Sequence, residues 1–361
     1  AAIYRPPYLF DSNGNQQTQP TIDCIEPTVT YGQVFTVVMA DTTTITRCSL
    51  IRPSSVTHGF NQEQRYLSLA VTSSTVSGGK RYLKGTAPSS KDLAPRGNYL
   101  LFAMKWNGVP SIAQWVEIVP GGTVPDTLAV SQTWAAGQLH YVPDTFIIPT
   151  GKTLNLQSGT HVVCADSATF KVQGGTLVAT GATFRAPTCG SDEWAGIRVV
   201  SGTAILTSCV IKDAEIGISF SGGSGGGTVT SCRFSSNSTV DIRINNGAII
   251  TATSDTMDCP SGATNHVGVE IGSSAGTTTV KNCVINGSSA SGSKGIYCAA
   301  MATLLGNHVY NFNNSSNGKG IEFALSDSTI VPIIDNPASP DTNHTIIAGC
   351  RTGVYVGSYS R

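Results

Sequence analysis

The residues with the widest chemical range in this chain are its ten cysteines, at positions 24, 48, 164, 189, 209, 232, 259, 283, 298 and 350. None are spaced Cys-x-x-Cys, which excludes a zinc ribbon and a thioredoxin-like redox motif. Carboxylates are the second resource. Pectinase-like hydrolysis needs clustered carboxyl groups that divide the roles of acid and base or nucleophile. Calcium-assisted elimination needs an acidic cluster beside a Lys or Arg base. The chain contains no Asp-Asp and no Gly-His dipeptide. The nearest approximations are Asp213 with Glu215, Asp241 with Arg243, and Asp255 with Asp258. Each reads as a solvated charge on a loop or strand edge, so no catalytic residue is expected on this chain.

Composition narrows the remaining options. The 361 residues are 40% hydrophobic, enough to bury two cores, while only 12% are charged, about half the usual share. A surface of hydroxyls and amides suits a secreted or cell-surface β-protein. With a formal net charge of +0 there is no long-range field for nucleic acid, which is excluded as a partner. No run of eighteen apolar residues encodes a membrane-spanning helix. The opening Ala1-Ala2-Ile3-Tyr4-Arg5 has no basic-then-apolar leader, so the expectation is a processed chain or one cut from a longer precursor.

The elements that must carry these residues are strands. Gln33–Met39, Tyr66–Val71 and Ser111–Ile118 alternate with a period near two, and Pro, Gly, Asn and Asp clusters separate them. This predicts a β-sandwich over residues 1–119. Cys24 and Cys48 lie in its apolar strands, and a disulfide between them is favoured over two buried thiols. A Pro- and Gly-bearing linker, 120–128, follows. Residues 129–361 then repeat at intervals of about 23–28 residues, within the range of solenoid repeats. Leu206-Thr207-Ser208-Cys209 returns as Val229-Thr230-Ser231-Cys232, Thr253-Ser254-Asp255 and Val280-Lys281-Asn282-Cys283. A second signature returns as Ile216-Gly217-Ile218, Val267-Gly268-Val269, Gly295-Ile296 and Gly320-Ile321. Short strands stacking turn upon turn predict a parallel β-helix, with Cys209, Cys232 and Cys283 as an inward ladder of buried thiols. Cys164, Cys189, Cys259, Cys298 and Cys350 fall outside the ladder and are the better candidates for bridges.

Two resemblances refine this reading. The opening Ile3-Tyr4-Arg5-Pro6-Pro7-Tyr8-Leu9-Phe10 is followed by Ser55-Val56-Thr57-His58-Gly59-Phe60-Asn61 and Gln64-Arg65. Pro95-Arg96-Gly97-Asn98-Tyr99-Leu100-Leu101-Phe102 and Gly108-Val109-Pro110-Ser111 come next. Together these resemble the C-terminal, immunoglobulin-like early set domain of galactose oxidase and glyoxal oxidase. The resemblance implies a sandwich packed against a propeller, with His58 at the position of the family's copper ligand. It also implies that the other ligands lie on the propeller, so the copper site is incomplete in this chain. The motifs Thr145–Leu156, Gly174-Gly175-Thr176-Leu177 and Trp194-Ala195-Gly196-Ile197 resemble the first turns of right-handed β-helix domains in secreted bacterial surface proteins. Trp194 is taken as structural.

The fold expected is therefore all-β, an immunoglobulin-like β-sandwich followed by a right-handed parallel β-helix. The function expected is the C-terminal portion of a secreted copper-radical oxidase, not catalytic by itself. The alternative is an extracellular adhesion, carbohydrate-binding or structural module. Glycan contact is expected at the polar-aromatic stretch holding Tyr310, Phe312 and Asn314, and a protein surface is the other candidate partner. Asn-x-Ser/Thr triplets begin at Asn237, Asn286, Asn313, Asn314 and Asn343.

Overall fold

Strand Gly97–Lys105 shows how the N-terminal unit is built: Tyr99, Leu101 and Ala103 are buried while their neighbours are not. Strands of this kind close over a core of Phe35, Val37, Met39, Leu50, Leu83, Tyr99 and Val116. In the computed structural model, which describes residues 4–190, 193–223, 225–287, 291–313, 318–325, 333–334 and 344–357, the chain divides into two compact units. The first comprises residues 1–123 with 139–143 and 187–192, and the second the remainder.

The first unit is a sandwich whose two sheets share one long strand. Tyr66–Ser77 pairs along its first half with Ile45–Ile51 and along its second half with Lys80–Thr86, with a register shift at Val71/Ser73 where it changes sheets. Pairing is antiparallel, except that Gln114–Ile118 runs parallel to Thr28–Val29 and Gly121–Thr123 parallel to Leu139–Val142.

The expected Cys24–Cys48 bridge is not formed: Cys24 is bonded to Cys189, and Cys48 is a buried thiol. A bulge is the reason. Ile22 lies opposite Met39 and Cys24 opposite Val38, so Asp23 is an extra residue that reverses the alternation. Met39 belongs to the sandwich core, as Cys48 does, whereas Val38 does not. Cys24 therefore turns away from Cys48, and the segment holding Cys189 meets it on that side. The Glu26 carboxylate holds the same segment, accepting from the Thr188 backbone N–H at 2.6 Å and its hydroxyl at 3.2 Å.

The second unit is a parallel β-solenoid with three faces. On one face Ile216–Phe220, Val240–Ile244, Val267–Ile271, Lys294–Cys298, Lys319–Phe323 and Thr352–Val356 stack in register. A second carries Gly226–Thr230, Ile249–Thr253, Thr278–Lys281 and Ala302–Leu305. The third runs from His161–Cys164 through Thr183–Arg185, Val210–Lys212, Arg233–Ser235, Thr256–Asp258, Val284–Asn286 and His308–Tyr310 to Ile346–Ala348. The interior begins as an aromatic stack of Trp134, Phe146, Phe170, Phe184 and Trp194. Trp194 is fully buried and its indole N–H donates to the Lys212 carbonyl at 2.8 Å, the structural part its motif suggests.

The thiol ladder is buried at one corner of the coil. Ser208, Ser231 and Asn282, each just before a ladder cysteine, adopt positive φ near 53–55°. The chain turns sharply there, and the short polar side chains of Ser and Asn serve such left-handed positions. Asp255, preceded by Ser254 at φ 58°, fills the rung between Cys232 and Cys283. Of the five remaining cysteines beyond residue 129 only Cys189 is bridged; Cys164, Cys259, Cys298 and Cys350 are thiols.

Candidate functional site

His58 sits at the tip of a short hairpin in which Val56 pairs with Asn61 and Thr57 with Phe60. Its φ of 53° places it in the left-handed region, and its Nδ1 lies 3.1 Å from the Thr57 hydroxyl. The imidazole is exposed, as are the apolar side chains that flank it, Val56 at 67% and Phe60 at 74%. Beneath the hairpin opens a cavity of about 750 Å³, lined by Arg52, Glu63, Arg65 and Tyr66 among others. Arg52 closes one wall through an ion pair with Glu63 at 2.7 Å.

The arrangement does not by itself fit copper. Cu(II) in an N,O site takes tetragonal geometry, which one imidazole cannot impose. No group of three or more His, Cys, Asp or Glu able to hold a metal ion occurs among the described residues.

The sequence of the first unit carries the relationship. Residues 19–118 match the family model described as galactose oxidase-like, early set domain. An aldehyde oxidase from Arabidopsis thaliana, GLOX1, is 33% identical over 125 residues, 32% of this chain and 20% of that protein. A galactose oxidase from Gibberella zeae is 36% identical over 119 residues, 33% of this chain and 17% of that protein. Residues 19–118 are a galactose oxidase-like early set domain. The chain as a whole spans about a fifth of the length of these curated relatives. A solved fungal alcohol oxidase of the AA5 family in complex with copper is 32% identical and covers 31% of this chain and 23% of its own, at a TM-score of 0.28.

Beyond the early set domain, the carboxylates singled out in the solenoid are all engaged. Asp213 lies 3.4 Å from Lys212, Glu215 is paired with Arg198 at 3.1 Å, and Asp258 with Arg233 at 3.0 Å. Arg243 pairs not with Asp241 but with Glu270 on the next turn, at 2.9 Å. Asp241 and Asp255 are interior residues, fully buried, rather than loop charges.

Asp241 interrupts a glycine column: the register sets it opposite Gly217 on one turn and Gly268 on the next. A Cβ at Gly217 would come within 2.8 Å of Phe234, which is why glycine recurs there. Asp241 is accommodated by polar neighbours instead. Asn237 donates to its Oδ1 at 2.8 Å, and His266 Nε2 lies 3.5 Å from its Oδ2. Asn237 in turn accepts from the Ala214 backbone N–H at 3.1 Å. Burial by itself would depress the His266 pKa, but Asp241, and after it Cys259, raise it to about 10. Thiol, imidazole and carboxylate in such proximity have the composition of a nucleophilic triad. Exposures of 3% for Cys259, 1% for His266 and 0% for Asp241 close them to any substrate, so the cluster is a structural one. Asn237, buried within it, is removed from the glycosylation triplets.

Asp255 is the other residue the repeat conceals. It accepts from the Cys232 backbone N–H at 2.7 Å, and the Cys283 thiol lies 4.0 Å away. Burial raises its pKa from 3.8 to about 7. The folded chain therefore binds this proton more tightly than the unfolded one, and stability should fall as pH rises from about 4 through 7. Asp255→Asn should flatten that part of the stability profile, and urea unfolding at pH 4, 5.5 and 7 measures it. An unchanged slope would assign the dependence to other groups.

The residues expected to touch glycan separate. Phe312 is fully buried and cannot stack on a sugar. Asn314 lies outside the described residues. Tyr310 is half-buried on the outer third face and lines a surface cavity. Two further aromatics of the first face, Tyr297 and Tyr355, lie beneath Lys294 and Lys319, at 4.6 and 3.8 Å from ammonium to ring centre.

Proposed function

We propose that the early set domain is the imidazole-bearing module of a copper-radical oxidase, with His58 completing a copper centre whose other ligands lie outside the described residues. The solenoid is then an appended, non-catalytic extracellular module. The observation that carries the first part is His58 itself: a backbone-strained, exposed imidazole at a hairpin tip, flanked by Val56 and Phe60 rather than by other ligands. Exposed apolar side chains on both sides of a potential ligand suit a hairpin that becomes buried against a partner domain. The second part is supported by solenoid carboxylates that are ion-paired or buried, leaving no acid–base pair facing solvent among those considered. The Cys24–Cys189 disulfide and the low charge favour an oxidising, extracellular setting.

Two titrations test the assignment. The chain alone should show no tight stoichiometric Cu(II) signal by electron paramagnetic resonance, and His58→Ala should change little. Tight binding lost in that variant would mean that this chain holds a complete site. In a longer protein carrying a copper-binding domain, His58→Ala should weaken copper binding by more than about 10–100-fold, the loss typical of residues that merely support metal ligands. Unchanged copper loading there would favour the other reading, an adhesion or structural module that retains the early set domain as a packing unit.

A further inference from the structure

On the third face of the solenoid the outward side chains shrink abruptly at one step. Asn286, Tyr310 and Ala348 follow one another in register, as do Val284, His308 and Ile346. The passage from Tyr310 to Ala348, with Gly349 beside it, leaves a concavity of about 320 Å³ against the tyrosine. Its walls are the Tyr310 ring, the Ile346 side chain, which is half exposed, and the His308 imidazole. Asn311 forms its polar edge. This residue is held at φ 64°, its backbone N–H donates to the Ala348 carbonyl at 3.2 Å, and its Nδ2 donates to Asn286 Oδ1 at 3.0 Å. That leaves the Asn311 Oδ1 acceptor, on the Gly349 side, without a protein donor among the described residues. Among the described residues no Asp, Glu, Lys or Arg lines the cavity.

We propose that this concavity is a subsite for one neutral sugar ring of an extracellular glycan. The chemistry of the lining selects that class. An aromatic ring and an aliphatic chain offer apolar surface to the C–H face of a pyranose, while an oriented amide and an imidazole meet its hydroxyls. The absence of formal charge disfavours uronic acids, sulfated sugars and phosphates, which would lose solvation without gaining a counter-charge. The volume is at the lower end of the range for small-ligand sites, enough for a single ring. Asn311 is fixed by its own hydrogen bonds, so little ordering is required on binding. The subsite is independent of copper and of the early set domain, and it goes beyond the function proposed above.

Saturation-transfer NMR on the full chain tests it, with methyl β-galactoside, methyl β-glucoside and their β-linked disaccharides as probes. At least one neutral sugar should receive saturation through its ring C–H protons, with a dissociation constant on the order of millimolar, as an open, shallow site implies. Ala348→Trp, which fills the concavity from the surface, should abolish the transfer, and Tyr310→Ala should reduce it at least tenfold. Tyr310→Phe should retain most of it. Cyclohexanol, similar in size with a single hydroxyl, should bind more weakly than the sugars. Absence of transfer to every probe, transfer untouched by Ala348→Trp, or equal transfer to cyclohexanol would each overturn the assignment, the last by showing an undiscriminating apolar patch.

Discussion

Asp241→Ala should destabilise the solenoid by about 3–5 kcal/mol, because it strands the His266 imidazole in the interior without its counter-charge. Both side chains are at most 1% exposed, so neither can recover solvation when the other is removed. The sign with pH follows from the raised His266 pKa. The folded chain binds the imidazole proton more tightly than the unfolded one, whose pKa is near 6.5. The contribution of the pair is therefore fully present below about pH 6.5 and is lost as pH rises through about 10. The difference between wild type and Asp241→Ala in urea melts should accordingly be largest near pH 6 and should shrink towards pH 10. Removing both partners, as Asp241→Gly with His266→Val, should cost less than Asp241→Ala alone, since paired deletion leaves no orphaned charge and restores the glycine of adjoining turns. A single-variant loss under about 1 kcal/mol, or one that grows with pH, would show that the pair is not ionised in the folded protein.

The Cys24–Cys189 bond supplies the second large effect. It closes a loop with a sequence separation of 165 residues. Loops of that length lose much conformational entropy in the unfolded chain, and removal of such a bond costs about 2–5 kcal/mol. Cys189→Ser, or reduction with the fold intact, should lower the stability of the N-terminal unit by that amount. Cys48→Ala should instead produce only the modest loss of a small buried side chain. A non-reducing peptide map decides the connectivity directly: a peptide joining residue 24 to residue 189 is expected, with Cys48 alkylated only after unfolding. A Cys24–Cys48 peptide would refute the pairing and remove the reason for the effect.

Reading by repeat worked wherever a residue obeyed its column and failed where one departed from it. Cys209, Cys232 and Cys283 are buried as their common position implies. Asp255 occupies the same column, yet as an isolated residue it looks like a loop carboxylate. Its signal was present in Thr253-Ser254-Asp255, which copies the Ser-Cys pair of earlier turns. Asp241 carries a similar signal, standing where Gly217 and Gly268 stand, but its tolerance depends on Asn237 at the preceding corner and on His266 arriving from the next turn. Phe312 was misplaced because an aromatic beside Asn-rich sequence looks exposed. In the fold it packs at Gly287, where a Cβ would come within 2.7 Å of its ring.

What local sequence determined here is the kind of structure: strand periodicity and a 23–28-residue repeat specify a sandwich and a solenoid, because backbone pleating and turn-by-turn stacking are short-range rules. His58 stood out only through the resemblance to the galactose oxidase family, not through any local pattern. Tertiary structure alone decided which groups meet. The single extra residue at Asp23 turned Cys24 towards Cys189, the stacking of turns brought Asp241 to His266, and the step from Tyr310 to Ala348 opened a cavity. Each of these depends on the face a side chain takes and on what a distant segment places opposite it. Neither is encoded within the few residues over which a periodic pattern is read.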